Sequence, residues 1–142
     1  MAIFNAAQLL ATALAPNLPT DVGGRARFDR FTYTFAGTEA TNDVINLAKL
    51  PLGARVYELI VYNEDLGTTV TIDVGDATTP NRYFNDIAGG TAGAPSVYWD
   101  GAGEVSVLID TEAKRTIQAL LAAVTTPTAG AVLSGRVLYV ID

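Results

Sequence analysis

Asp73, Asp76, Asn81, Asn85 and Asp86 form the one acidic and amide cluster in the chain with ligand-like spacing. Hard oxygen donors of this kind suit Ca²⁺, but the run lacks the Asp-x-Asp-x-Asp-Gly order of a calcium loop. Asp and Asn also belong in turns, where their side chains bond the local backbone, so the expected role is structural and no metal is implied. Arg82 is expected to pair with Asp76 or Asp86 as a surface ion pair worth less than about 1 kcal/mol. Glu58, Glu104 and Glu112 are the candidates for paired-carboxylate glycoside hydrolysis, which needs neither His nor Cys. Glu58 stands in an apolar strand, where burial would raise its pKa; the competing reading is an edge or interface residue. Tyr98 and Trp99, beside a Gly- and Ala-rich stretch over residues 87–95, have faces that could stack on a sugar ring, or pack inside the fold or at a subunit contact. With no Cys and no His in 142 residues, disulfides, thiolate nucleophiles, the usual zinc sites and the commonest general base are all absent. The expectation is a non-enzymatic chain with no cofactor and no metal.

The length predicts one domain with an ample core. A net charge of −6, with Lys and Arg scattered singly, offers no basic stripe for phosphates, so no direct nucleic-acid partner is expected. A hydrophobic fraction of 49% against 17% charged residues is high for a soluble monomer and predicts self-association. No apolar run has the length that spans a bilayer, and no membrane partner is expected. The amino-terminal stretch lacks the basic region of a signal peptide.

Alternation predicts an all-β chain. Residues 50–83 read as an organising hairpin: a type I turn with Pro51 second and Gly53 fourth, then a strand over residues 55–62. In that strand Val56, Ile60 and Tyr62 share one face and Tyr57, Leu59 and Val61 the other, and a half-wet strand with Val70, Ile72 and Val74 follows. Residues 28–35 alternate with Phe31, Tyr33 and Phe35 on one face, and residues 43–49 make a second strand after a polar loop. Residues 111–124 match a helical stripe through Ile117, Leu120, Leu121 and Val124, but their place between strands favours a strand that closes a hairpin with residues 131–141. About eight short strands predict a jelly-roll-like antiparallel β-sandwich over residues 25–142. Residues 1–24, rich in Ala and Leu and cut by Pro16 and Pro19, read as an arm, with residues 6–14 able to form two helical turns. Ile3, Phe4, Leu9, Leu10 and Leu14 are costly to leave in water, so the arm is expected to dock, and with Tyr98 and Trp99 they are the candidate docking or subunit interface.

Four phrases carry a family resemblance. They are residues 43–56, ending Leu50-Pro51-Leu52-Gly53-Ala54-Arg55-Val56; then Thr71-Ile72-Asp73-Val74-Gly75-Asp76; then Pro80-Asn81-Arg82-Tyr83-Phe84; and finally Gly135-Arg136-Val137-Leu138-Tyr139-Val140. Together the chain resembles the decoration or cement proteins on the heads of tailed bacteriophages. The resemblance implies an oligomeric, often trimeric β-sandwich on the capsid exterior, made in the host cytoplasm, with the major capsid protein as partner and no catalysis. The alternative is a carbohydrate-binding β-sandwich module of the head-fibre or receptor-binding type.

Overall fold

The computed structural model describes residues 1–5, 26–90, 92–93, 95–99, 107–123 and 126–141. Its strands are β1 (Ile3–Asn5), β2 (Ala26–Thr34), β3 (Val44–Lys49), β4 (Ala54–Asn63) and β5 (Thr71–Gly75), then β6 (Phe84–Ala88), β7 (Ser96–Trp99), β8 (Val107–Leu108), β9 (Thr116–Ala123) and β10 (Val132–Ile141). One sheet, A, runs β1-β3-β9-β5-β6; the other, B, runs β2-β10-β4-β7, with β8 beside β4. Setting aside β1 and β8, the first, eighth, third and sixth strands make one sheet and the second, seventh, fourth and fifth the other. That interleaving is a jelly roll, as the sequence led us to expect.

The alternation explains the core. Phe31, Leu59, Val61, Leu133, Val137 and Tyr139 point inward from sheet B onto Ile45, Leu47, Ile72, Val74, Ile117 and Leu121 of sheet A. Residues 116–123 form a strand: Ile117, Ala119 and Leu121 are buried while Thr116, Gln118 and Leu120 are half-exposed, a period of two. The helical stripe shrinks to one 3-10 turn at Glu112–Lys114.

Three local expectations are corrected. β4 and β5 do not pair as a hairpin, nor do β9 and β10; each pair is split between the two sheets. Jelly-roll winding carries the chain across the sandwich at these connections, and a local turn signal cannot distinguish that crossing from a hairpin reversal. The turn before β4 starts one residue later than predicted, with Ala54 N–H donating to the Pro51 carbonyl (3.3 Å) and Gly53 in third place at φ +85°. A positive φ there is what glycine supplies. In β4 itself a register shift opposite Leu138 and Tyr139 puts Val56 on the same inner face as Leu59 and Val61. Such a bulge inverts the alternation on one side of it. Tyr57 and Tyr62 are left exposed.

Gly89, in the Gly- and Ala-rich stretch, donates its N–H to the Val70 carbonyl (2.7 Å) and accepts the Leu66 N–H (2.9 Å).

Candidate functional site

The acidic turn is closed on itself. Asp76 is 1% exposed, so its pair with Arg82 is buried on the carboxylate side and is not the surface ion pair expected; its Oδ1 accepts from the backbone N–H groups of Thr78 and Thr79, both at 2.9 Å, while Oδ2 takes Arg82 Nε. Burial alone would raise the Asp76 pKa, but Arg82, the Thr78 hydroxyl and those N–H groups outweigh it and hold the carboxyl below its ordinary value. Asp73 accepts the Asp86 N–H at 2.8 Å, and the Asn81 amide reaches Asn85 at 3.2 Å. The oxygens diverge onto separate partners, and no group of three acidic, His or Cys ligands gathers among the described residues.

Of the candidate carboxylates for hydrolysis, Glu58 and Glu112 lie on different elements, each beside a basic residue. Glu58 lies on the outer side of β4, 3.4 Å from Arg136; Glu112 lies in the 3-10 turn between Lys49 (3.4 Å) and Arg115 (2.7 Å). Arg115 lowers the Glu112 pKa, the opposite of what a general acid needs. Glu104 lies outside the described residues. Tyr98, opposite Leu59, has its ring 5.1 Å from Tyr83 at 80°, so it takes part in packing between strands. Trp99 ends β7 opposite Glu58, and its side chain is outside those described.

Residues 3–5, within the predicted arm, add a parallel strand to the edge of sheet A, in register with Val44–Asn46. Ala2 N–H donates to Asp43 Oδ1 and the Val44 N–H to the Ala2 carbonyl, both at 2.8 Å. Phe4 turns inward, 6.0 Å from the Tyr33 ring, while Ile3 is 57% exposed. Ile3 helps line a trough of about 290 Å³ with Met1, Val44, Leu120 and Pro80 on the outside of sheet A. Leu9, Leu10 and Leu14, and the helical turns expected over residues 6–14, lie outside the described residues. Behind β1, Glu39 fastens the polar loop: its carboxylate accepts from Tyr33 Oη (2.8 Å) and the N–H groups of Ala36 (2.8 Å), Gly37 (2.9 Å) and Thr38 (3.1 Å).

The sequence reading missed the outer face of sheet B. Its rows run Phe28–Leu138–Glu58, Arg30–Arg136–Ile60–Val97 and Thr32–Ser134–Tyr62. Phe28, Tyr57, Tyr62 and Val97, all on this side, are among the few large apolar side chains exposed to solvent. A groove of about 270 Å³ lies over Arg30, Thr32, Tyr62, Ser134 and Arg136. Part of this was legible: Phe28 shares the parity of Arg30 and Thr32, opposite to Phe31.

No family model matches the chain, and no curated protein sequence does. Solved structures do. A chain from the capsid of Ralstonia phage GP4 is 25% identical with a TM-score of 0.75, the likeness covering 99% of both chains. The protein has the fold of phage capsid proteins. A chain of the cyanophage Pam1 capsid asymmetric unit shares that fold at 22% identity and TM-score 0.64, covering 92% of this chain and 96% of its own. A chain of the acid-stable capsid of Helicobacter pylori bacteriophage KHP30 shares it at 20% identity and TM-score 0.52, covering 82% and 87%. Because the Ralstonia phage chain is covered almost end to end, this capsid-like protein and its neighbour match in extent as well as in core.

Proposed function

We propose that this chain is a structural, non-enzymatic virion protein that decorates and stabilises the outside of a tailed-phage shell. It binds the major capsid protein and acts as a homo-oligomer, with three copies as the preferred assembly. The observation that carries the reading is the whole-length likeness to the Ralstonia phage capsid chain. Two physical arguments support it. The core is complete within one chain, from Phe31 and Leu59 to Ile72 and Leu121, so the protein can fold before it meets a shell, as an added component must. Of its carboxylates with ligand-like spacing, Asp73 and Asp76 are committed to backbone and arginine partners and Asp86 to the Asn85 amide, while apolar side chains are left exposed outside both sheets. Repeated weak contacts across an oligomer raise the effective concentration of the remaining sites once one has bound, which gives firm attachment from modest interfaces.

The test is co-sedimentation of the purified protein with preassembled empty capsids. Decoration predicts that it pellets with finished shells and stays in solution alone. Failure to join a finished shell would leave the decorating role without support. Light scattering of the protein alone reads the copy number.

A further inference from the structure

Resting on that reading, we infer that the outer face of sheet B is the surface that meets the shell, and that its partner there is an acidic protein surface with apolar patches. The face is set by register. Arg30, Arg136, Ile60 and Val97 form one row across four strands, flanked by Phe28 and Leu138 on one side and by Tyr62 on the other. Phe28 is 58% exposed, Val97 49% and Tyr62 43%, and apolar side chains exposed together rather than singly mark interaction sites. Among the described residues the same face bears Arg30, Arg55 and Arg136 against Glu58, with Glu64 at its Tyr62 end, on a chain whose net charge is −6. Sheet A shows the reverse: its outward row Ile3–Val44–Leu120 ends in Asp73, beside Asp86.

Charge and symmetry decide the occupant. A second copy placed on this face by a two-fold axis brings together two surfaces with the same excess of positive charge, which is unfavourable. Docking the face onto the acidic side of sheet A in another copy is attractive, but those faces point in opposite directions from the sandwich. Such a contact is head-to-tail, and two faces on opposite sides of the sandwich do not supply the rotation that closes three copies into a ring. A foreign acidic surface meets neither difficulty. Arginines beside aromatic rings also suit it, because the guanidinium gives directional bonds to carboxylates and Arg30 already lies 5.7 Å from the Phe28 ring centre.

Occupancy of empty capsids by the full-length protein is measured for the unaltered chain, R30E/R136E, F28S/Y62S and K114E. Lys114 sits on the 3-10 turn, paired with Asp110 at 2.8 Å, and K114E reports the effect of added negative charge away from the face. Both face variants are expected to lose at least tenfold in affinity, K114E less than threefold. High salt should weaken the unaltered chain more than R30E/R136E. Circular dichroism and melting identify any variant that fails to fold, and Y57S and V97S, single changes at exposed positions, then replace it. Full binding by the face variants overturns the inference while leaving the decorating role standing, and so does an equal loss in K114E. A smaller oligomer mass in the face variants with capsid affinity unchanged assigns the face to a second copy and overturns it too. No binding by the unaltered chain rejects the decorating role and this inference together.

Discussion

The two sides of sheet B are built from similar residues and used differently. Inside, the Phe31 ring lies against the bare backbone of Gly135, and Leu59, Val137 and Tyr139 are almost wholly buried. Outside, Phe28, Tyr57, Tyr62 and Val97 keep more than a third of their surface in water. The inner residues are explained by the fold; the outer ones are not, since the sandwich is complete without covering them. Substitutions on the two sides should therefore separate stability from attachment.

The largest effect is expected inside, at Gly135. A Cβ there would come within 2.0 Å of the Ile60 carbonyl oxygen and 2.5 Å of the Phe31 ring, so backbone on the neighbouring strand must move. Gly135→Ala should destabilise by about 3 kcal/mol, the upper part of the range for overpacking. On the scale that relates stability to melting in domains of this size, Tm falls by about 10 °C, which calorimetry would read. A variant that melts like the parent would show that the inner side is not tightly filled.

Next come the buried carboxylates, to be contrasted with Glu58 on the open side. Burial pushes Glu39 up, but the Ala36 N–H, the Tyr33 hydroxyl and neighbouring N–H groups outweigh it and hold its pKa below the ordinary value; Asp76 is held low in the same way by Arg82. A carboxyl whose folded pKa is depressed contributes stability that is fully present above its unfolded pKa and is lost as pH falls through the folded value. Melting temperature should therefore be level from neutral pH down to about 5 and fall below about 4. Asp76→Asn leaves Arg82 without its carboxylate and should cost about 2 to 3 kcal/mol at neutral pH, with a shallower acid decline, whereas Glu58→Gln should change neither measurably.

What the sequence made legible follows the same division. The inner face of β2 was readable because Phe31, Tyr33 and Phe35 alternate with Arg30, Thr32 and Thr34. The all-β class and strand β9 were readable for the same reason, although a helical stripe competed locally. Pairing was not readable, because β4 and β5 join different sheets and nothing in a local turn reports a partner that arrives seventy residues later. The bulge in β4 was also hidden: it shows only against β10, and it decides which side Val56 takes. The Asp76 turn could be recognised as self-satisfied from its Asp, Asn and Thr content, but the Glu39 lock could not, since a single Glu in a polar loop gives no periodic signal.

Intermediate in size is the effect of removing residues 1–22. Loss of β1 takes Phe4 from the Tyr33 ring and the Ala2 N–H from Asp43, and with them the entropic cost of ordering that strand. These contributions nearly cancel, so the sandwich should stay β-rich by circular dichroism with Tm lower by about 4 °C, the equivalent of about 1 kcal/mol. A collapsed spectrum would move β1 from the edge of the fold into its core.

The smallest effect on stability is expected outside, and it sharpens the contrast most. Phe28→Ser removes a ring that is 58% exposed and touches the fold mainly through its own sheet and Arg30. Only the covered part of the ring contributes to folding, because the exposed part is in water in the folded and the unfolded chain alike. Surface changes of this kind lie within about 0.5 kcal/mol, so Tm should move by no more than about 2 °C. If the residue serves the sandwich, melting should drop on the scale of Gly135→Ala and attachment should fall only in step with unfolding. If it serves a partner, capsid occupancy should fall at temperatures where the variant is fully folded. Measuring occupancy and melting on the same preparation distinguishes these outcomes, and a large melting shift would place Phe28 with the inner side of its sheet despite its exposure.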